Sequence, residues 1–321
     1  MSELNEYGLK RKQRLLVTGV TGLLGSALMR EALSSYDVWG WARRPHATPL
    51  PCRFEAVDLL DEAAARRAAE AARPDVVIHA AALTSVDECE SDPSAATAAN
   101  VGGTRHLLEA LRGHACRFVF ISTDAVFDGR RGGYTENDAP APLHIYGRTK
   151  LAAEETVLAD RPEALVTRTA FYGWNILPKE SLGEWVLGRL RAGETVPGFT
   201  DLLFSPLLAN HLARLLLTLT GSKASGVLHL ASADGCSKFD FAVRLAAVFG
   251  FPPGRIVPRI CGTGRLVAAR PQNVTLNAGR AATMLGRPLP TIEEGLREFL
   301  KLEPIVKQAV LAGARGHGED R

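Results

Sequence analysis

The sequence predicts an α/β fold, in which a doubly wound parallel sheet carries a smaller, irregular C-terminal lobe. Two observations predict it. Short apolar runs alternate with helical stretches over the first half of the chain, and this alternation stops near Tyr172. Strands that are apolar throughout are buried on both faces, as in a parallel sheet with helices on either side. Right-handed crossovers between such strands give a doubly wound sheet.

The first half contains six predicted strands and four predicted helices. Short, continuous apolar runs predict strands at 15–18, 38–41, 54–57, 76–80, 118–122 and 163–169. Helical stretches between them are predicted at 24–33, 63–72, 93–112 and 150–158. Pro93 stands in the first turn of the third helix, where proline is favoured.

The second half has another rhythm, with connections rich in proline and glycine. Helices are predicted at 182–190, 211–218, 239–248 and 292–300, and one strand at 227–230. We therefore predict a flexible tail at 1–13, a first domain at 14–172, a lobe at 173–310 with some segments returning to the first sheet, and a second flexible tail at 311–321.

Composition excludes several classes of protein. The chain has 321 residues, of which 46% are hydrophobic and 23% charged, so disordered and fibrous architectures are excluded. A net charge of +3, with dispersed basic residues, is not typical of a nucleic-acid-binding protein. No apolar run approaches the roughly 18–20 residues that span a bilayer, and residues 1–14 lack the apolar region of a secretion signal. We expect a cytoplasmic protein without nucleic-acid or membrane partners.

The cysteines and histidines predict no metal site. Five cysteines, at positions 52, 89, 116, 236 and 261, are far apart and form no CxxC pair. A structural zinc site needs clustered ligands, and the eight histidines do not supply them.

A glycine-rich turn follows the first predicted strand. Gly19, Gly22 and Gly25 recur at three-residue spacing between this strand and the first helix. Glycine at such a turn lets backbone amides approach a pyrophosphate at the helix N-terminus, which is how dinucleotides bind to doubly wound sheets. The turn therefore predicts a dinucleotide site. The alternative is that these glycines serve only helix–strand packing.

Two arginines end the second predicted strand. A site that prefers NAD usually has a carboxylate there, which binds the ribose 2′-hydroxyl. Arg43 and Arg44 stand at this position instead, with no acid nearby. Guanidinium groups suit a 2′-phosphate, so NADP(H) is favoured over NAD(H). The alternative is an exposed basic turn.

Tyr146 and Lys150 have a spacing that places both on one face of a helix. They follow the predicted strand that ends in Ser122, Thr123 and Asp124. Those residues would lie at the carboxyl edge of the sheet, where ligands of such folds bind. The alternative for Tyr146 is an ordinary amphipathic ring at the start of a helix.

At this point the chain resembles the extended short-chain dehydrogenases/reductases, and within them the dTDP-4-dehydrorhamnose reductases, which are sugar-nucleotide 4-ketoreductases. The resemblance covers residues 14 to about 302. It rests on VTGVTGLLG at 17–25, HAAALTSVDECESDP at 79–93, NVGGTRHLLEA at 100–110, ISTDAVFDG at 121–129, YTENDAPAPLHIYGRTKLAAEE at 134–155 and RPQNVTLN at 270–277. The chain also resembles the regulatory beta subunit of methionine adenosyltransferase.

The resemblance implies an NADP-binding Rossmann domain and a set of site residues. Thr123, Tyr146 and Lys150 match the catalytic set, with Tyr146 as general acid towards a ketone at C4 of an NDP-4-keto-6-deoxysugar. Asn100 matches a helix residue that supports the site. The residues implied for the cofactor are Gly19, Thr21, Gly22, Leu23, Leu24, Gly25, Arg43, Arg44, Asp58, Leu59, Ala80, Ala81, Ala82, Tyr146 and Lys150. Those implied for the substrate are Thr84, Ser122, Asp124, Ala125, Val126, Phe127, Arg270 and Asn273.

Two departures from the family pattern bear on the substrate. Ala125 follows Asp124 where the family commonly has tyrosine, and Leu202 follows Asp201 where the family commonly has glutamine. Arg270 and Asn273 either face the nucleotide or cap the C-terminal lobe. Three functions therefore stay open: an NADPH-dependent reductase of a sugar nucleotide, an epimerase or dehydratase that retains NAD, and a non-catalytic regulatory subunit. A homodimer is compatible with the family, but the sequence does not fix the oligomeric state.

Overall fold

A computed structural model describes residues 11–46, 49–262 and 267–315, with side chains up to residue 306. Of the two predicted tails, residues 1–10 and 316–321 therefore lie outside the described residues.

Seven parallel strands form the central sheet. The strands of the described residues are β1 Arg14–Thr18, β2 Asp37–Ala42, β3 Arg53–Ala56, β4 Val76–His79, β5 Arg117–Ile121, β6 Leu165–Arg168, β7 Phe171–Tyr172, β8 Val196–Phe199, β9 Leu203–Phe204, β10 Leu207–Leu208, β11 Gly226–His229, β12 Cys236–Ser237 and β13 Ile256–Arg259. The order across the main sheet is β11-β6-β5-β4-β1-β2-β3. This order reverses between β1 and β4, which confirms the predicted doubly wound α/β fold.

Eleven α-helices are present in the same residues: α1 Leu23–Ala32, α2 Glu62–Ala72, α3 Val86–Ser91, α4 Pro93–Thr97, α5 Gly103–Ala110, α6 Ile145–Asp160, α7 Leu182–Arg191, α8 Ala209–Thr220, α9 Lys238–Val248, α10 Gly279–Leu285 and α11 Ile292–Arg315. The predicted helix at 93–112 is interrupted, because a π-helical turn at Ala98–Gly102 separates α4 from α5.

Alternation within the strands produces two cores, one on each face of the sheet. In β1, Leu15 and Val17 belong to one core, while Leu16 belongs to the other. Helices α1 and α8 cover the first face, where Leu28 and Leu216 are fully buried. The second face is covered by α2, α5 and α6. Side chains of a strand point alternately to opposite faces, so a strand that is buried on both sides is apolar throughout.

The C-terminal half builds a third core and also completes the sheet. Its core contains Phe241, Leu245 and Phe299, all fully buried. The strand predicted at 227–230 is β11, which pairs in parallel with β6. Short strand pairs β7–β10, β8–β13 and β9–β12 connect the pieces of the lobe. The last helix extends well beyond the predicted 292–300, with Pro304 inside it.

Candidate active site

Five consecutive strands of the sheet deliver predicted site residues to its carboxyl edge. Gly19 to Gly25 follow β1, Arg43 and Arg44 follow β2, Asp58 follows β3, Ala80 to Ala82 follow β4, and Ser122 to Phe127 follow β5. Parallel strands end at the same edge, and ligands bind where the strand order reverses. The residues predicted for cofactor and catalysis are therefore brought together along one side of the molecule.

The glycine turn between β1 and α1 is shaped by close backbone contacts. Gly19 has a φ of +71°, and a Cβ there would lie 2.9 Å from the backbone of Ala81. A Cβ on Gly25 would overlap the carbonyl oxygen of Gly19. Gly22 is the N-cap of α1, and no side chain caps this end or places an acid in its first turn. The helix N-terminus therefore keeps its amides for an anion.

Other residues around this turn differ in how deeply they are buried. Thr21 is mostly buried and Leu24 is fully part of the first core, whereas Leu23 is half-buried. Leu24 therefore contributes through packing and, at most, its backbone.

The ends of β2 and β3 are exposed. Arg43 and Arg44 lie at the surface, and neither makes an ion pair with any residue that the structure describes. Asp58 is also exposed and accepts a hydrogen bond from the Leu60 amide at 3.0 Å. The carbonyl of Leu59 is held by the ring of His106 at 2.8 Å. Because Arg43 and Arg44 are exposed and make no ion pair with a described residue, their guanidinium groups are available for a phosphate.

A buried polar chain supports the loop after β4. The His79 ring lies between Thr18 and Thr104, with Nδ1 2.7 Å and Nε2 3.0 Å from their hydroxyl oxygens. Burial and the charge of Lys150 lower the pKa of His79 to about 3, so the ring is neutral. Thr104 donates its hydrogen to the Asn100 carbonyl, so it accepts from Nε2, and Nδ1 accepts from Thr18. Thr18 also accepts from the Ala81 amide at 3.2 Å, which fixes the loop that faces Gly19.

Asn100 connects the same loop to helix α6, which carries Tyr146 and Lys150. Its side-chain oxygen accepts from the Leu83 amide at 2.7 Å, and its amide nitrogen donates to the Leu83 carbonyl and to Thr149 at 3.1 and 3.0 Å. The residue lies in the π-helical turn, a feature that is frequent at functional sites. Asn100 therefore connects the loop after β4 to helix α6, and its role in the site stays a prediction.

Helix α6 presents Tyr146 and Lys150 towards the end of β5. His144 caps the helix, because its Nδ1 accepts the Gly147 amide hydrogen at 3.1 Å. A Cβ on Gly147 would overlap the carbonyl oxygen of Ala125, so glycine allows the helix to approach the segment after Thr123. This approach brings the three residues of the predicted catalytic set together.

Burial shifts the pKa values of Tyr146 and Lys150 away from those of the isolated side chains. Burial raises the pKa of Tyr146, while a hydrogen bond with Thr123 opposes the shift and the charge of Asp124 adds to it. Tyr146 is therefore a neutral phenol. Burial lowers the pKa of Lys150 to about 7, although Glu154 opposes this shift. The Lys150 ammonium lies 3.9 Å from the centre of the Phe120 ring and has no hydrogen-bond acceptor among the described residues.

Ser122 belongs to a buried network below the site. Its hydroxyl donates to Glu154, whose carboxylate is bound by the guanidinium of Arg168. All three side chains are almost completely buried. The Ser122 hydroxyl is thus engaged away from Tyr146, and these contacts favour a supporting role over the predicted second substrate hydroxyl.

The residues after Thr123 divide between cleft and core. Asp124 is half-buried, and burial raises its pKa to about 6, against the opposing effects of Thr123 and Lys238. Ala125 is 9% exposed, whereas Val126 and Phe127 are fully buried. Phe127 stacks on Tyr134 at a centroid distance of 4.2 Å. The packing therefore leaves Asp124 and Ala125 as the members of this group that can face a substrate.

The remaining predicted substrate residues are spread over the mouth of the cleft. Arg270 forms an ion pair with Asp87 at 2.8 Å and donates to the Ala268 carbonyl at 3.1 Å. Thr84 is exposed and accepts from Lys179 at 3.2 Å.

Asn273 makes its contacts within the protein. Its backbone amide donates to the Gly129 carbonyl at 2.9 Å, and its side chain binds the Arg131 carbonyl and Thr275. For Asn273 these contacts favour the alternative in which it caps the lobe.

Several residues of the site were not predicted from the sequence. Lys238 at the start of α9 is electrostatically coupled to Asp124, and Glu154 and His144 support the catalytic helix. Glu154 could have been found, because it stands four residues after Lys150 on the same helical face. Lys238 comes from the irregular lobe and has no local motif that marks it.

Fold and site together define an oxidoreductase of the extended short-chain dehydrogenase/reductase class, with a Rossmann domain of the kind that binds nicotinamide cofactors. More specifically, the chain belongs to the family described as the RmlD substrate binding domain, whose profile matches residues 13–304.

Relatives of two kinds are similar to the chain over most of its length. The dTDP-4-dehydrorhamnose reductase of Mycolicibacterium smegmatis is 35% identical, over 89% of this chain and 84% of its own. Methionine adenosyltransferase 2 subunit beta of Rattus norvegicus is 31% identical, over 90% of this chain and 88% of its own. The crystal structure of dTDP-4-dehydrorhamnose reductase from Bacillus anthracis, in complex with NADP, superposes with a TM-score of 0.80 at 26% identity, over 90% of this chain and 99% of that one.

Within residues 11–46, 49–262 and 267–306, no three histidine, cysteine or acidic side chains are grouped so that they could hold a metal ion. No helix in the described part of the chain is both long and apolar enough to cross a membrane.

Proposed function

We propose that this protein is an NADPH-dependent reductase of a nucleoside-diphosphate 4-keto-6-deoxysugar, similar to dTDP-4-dehydrorhamnose reductases. The observation that carries the proposal is the convergence of Thr123, Tyr146 and Lys150 beside the glycine turn. These residues come from two elements, the end of β5 and the start of α6, which meet at the edge of the sheet where its order reverses. The relatives named as reductases support the same activity.

The residues present fit a bound NADP(H). Backbone amides at the N-terminus of α1 suit a pyrophosphate, and the turn that presents them needs glycine, since a Cβ on Gly19 or Gly25 would overlap the backbone of Ala81 or Gly19. Arg43 and Arg44 suit the 2′-phosphate. The Lys150 ammonium, which has no acceptor among the described residues, suits the hydroxyls of the nicotinamide ribose.

Bound NADPH would supply a hydride to the ketone carbon. Tyr146, kept protonated by burial, donates its phenolic proton to the ketone oxygen as negative charge develops there. Thr123 orients that oxygen through a hydrogen bond. Lys150, when protonated, stabilises the phenolate that Tyr146 leaves behind. The raised pKa keeps Tyr146 protonated but makes it a weaker acid, so the proton transfer depends on the positive charge of Lys150.

Tyr146→Phe tests the catalytic assignment. We expect the variant to retain NADPH binding and lose most of its NADPH oxidation with dTDP-4-keto-rhamnose or dTDP-4-keto-6-deoxyglucose, since only the acidic proton is removed. Loss of about a hundredfold or more is expected from removal of a general acid. Full activity of the variant would contradict the mechanism.

Charge reversal at Arg43 and Arg44 tests the cofactor preference. The double change Arg43→Glu, Arg44→Glu should weaken NADPH far more than NADH, because only NADPH carries the 2′-phosphate. Calorimetric titration of both cofactors gives the comparison. Equal weakening of both would contradict the assignment.

A regulatory, non-catalytic role is the second candidate, favoured by the similarity to methionine adenosyltransferase 2 subunit beta. Tight NADP binding with no turnover of any nucleotide sugar would support it against the reductase. An epimerase or dehydratase that retains NAD is disfavoured by the two exposed arginines after β2. A cytoplasmic location and a homodimer stay predictions.

A further inference from the structure

Lys238 belongs to the C-terminal lobe and has not been assigned a role. It is the first residue of α9, and its backbone amide donates to the Leu202 carbonyl at 2.9 Å. Ser237 caps the helix by accepting the Asp240 amide hydrogen at 2.9 Å. The Lys238 nitrogen lies 4.5 Å from the centre of the buried Phe204 ring. The backbone of Lys238 is therefore fixed by hydrogen bonds, and its side-chain nitrogen contacts the Phe204 ring.

Two charged groups, Asp124 and Arg270, act on Lys238. Asp124, which follows β5, raises the pKa of Lys238, while Arg270 from the C-terminal loop lowers it, and burial lowers it most. Cys236 and Cys261 also lie within electrostatic range. Asp124 in turn acts on Tyr146. The Lys238 ammonium and the Tyr146 phenol are thus both within electrostatic range of Asp124.

The Lys238 ammonium contacts the Phe204 ring but has no hydrogen-bond acceptor among the described residues. No ion pair and no hydrogen bond joins its nitrogen to any residue that the structure describes. Arg270, the other cation near the cleft, is already engaged by Asp87 and the Ala268 carbonyl. A half-buried ammonium without an acceptor costs stability, and groups of this kind with a shifted pKa cluster at functional sites. The arrangement is explained if a ligand supplies the acceptor.

We propose that Lys238 binds an anionic oxygen of the nucleotide-sugar substrate. This inference rests on the proposed function. The oxygen belongs to the diphosphate, and the ammonium discriminates in favour of substrates that carry it at this position. Lys238 is thus a specificity-determining residue contributed by the C-terminal lobe.

The test uses Lys238→Met in the full-length protein. Methionine retains the apolar stem against Phe204 and removes only the charge. The matched control is Lys223→Met. Lys223 is exposed and precedes β11, so it lies at the edge of the sheet opposite to the carboxyl ends of the strands. Affinities for dTDP, UDP-glucose, UDP-glucuronate and NADPH are measured by calorimetry, together with the melting temperature.

A diphosphate contact predicts that Lys238→Met weakens dTDP and both UDP-sugars by about tenfold, which corresponds to about 1.4 kcal/mol. A loss for UDP-glucuronate alone would show a contact with the sugar carboxylate and would overturn the diphosphate assignment. NADPH affinity and melting temperature are expected to stay near wild type, since no ion pair or hydrogen bond to a described residue is lost. Unchanged affinity for all three nucleotides would overturn the assignment of Lys238 while leaving the reductase proposal intact. A wild-type protein that binds NADPH but none of the three would overturn both.

Discussion

The carboxylate of Glu154 and the guanidinium of Arg168 form a buried two-point ion pair beneath the catalytic residues. Arg168 Nη2 lies 2.7 Å from Oε2 and Nε lies 3.0 Å from Oε1, and both side chains are at most 4% exposed. The same carboxylate accepts the Ser122 hydroxyl hydrogen. Glu154 therefore joins α6, one turn after Lys150, to the ends of β5 and β6.

Glu154→Ala is expected to destabilise the protein strongly. Removing one partner leaves the Arg168 charge buried without compensation, which typically costs about 3–5 kcal/mol. Glu194→Ala removes the exposed partner of Arg189 and is expected to cost less than about 1 kcal/mol. Urea unfolding of both variants provides the measurement. Similar losses in the two variants would show that the buried pair has no special weight.

NADPH affinity is expected to fall as the pH rises through about 7. Burial lowers the pKa of Lys150 to about 7, so the side chain is an ammonium below this pH and neutral above it. The cation that we propose for the ribose hydroxyls is therefore lost on the alkaline side. Titrations at several pH values should show this decline in the wild type and a flat profile in Lys150→Met. A flat wild-type profile would contradict the role of Lys150.

Gly147→Ala is expected to impair both folding and activity. A Cβ at this position would overlap the Ala125 carbonyl oxygen, and the required backbone shift would move Tyr146 away from Thr123. Overpacking of this kind typically costs about 1–3 kcal/mol. Gly102→Ala is the control, since a Cβ there meets no atom within 4 Å. Thermal unfolding and kcat should change in the first variant and remain near wild type in the second.

Asn100→Ala is expected to lower stability by about 1–3 kcal/mol, because it leaves buried groups of Leu83 and Thr149 without partners. Asn100→Asp retains an acceptor for the Leu83 amide but cannot donate to the Leu83 carbonyl. Because the new carboxylate would be buried beside that carbonyl oxygen, a loss at least as large is expected in the aspartate variant. If both variants unfold like the wild type, the hydrogen bonds of Asn100 contribute little.

Much of the fold could be predicted because burial on both faces makes the strands apolar throughout. The runs at 15–18 and 76–80 correspond to β1 and β4 within one residue at each end. The interruption of the helix at 93–112 could not be predicted in the same way. Its π-helical turn turns Asn100 towards Leu83 and Thr149, and these tertiary contacts do not appear in local periodicity.

The site residues also divide into those that the local sequence predicts and those that depend on tertiary packing. Gly19 and Gly25 could be found because their role is a property of the local backbone. Val126 and Phe127 lie in the same motif as Thr123, yet both are fully buried, so motif membership does not imply contact with a ligand. The position of Lys238 near Asp124 depends on how a segment that is distant in sequence packs near the end of β5. This packing is visible only in the folded structure.

Strand β11 has a consequence for any attempt to divide the molecule. A fragment ending at residue 172 would retain β1 to β6 but would lack the neighbour of β6, and Leu228 and Leu230 would be missing from the first core. It would also lose Leu212 and Leu216 of α8, which cover one face of the sheet. Such a fragment would present an unpaired edge and an apolar surface, both of which favour aggregation. The cofactor half is therefore not a separable module, and cofactor binding should be measured on the whole chain.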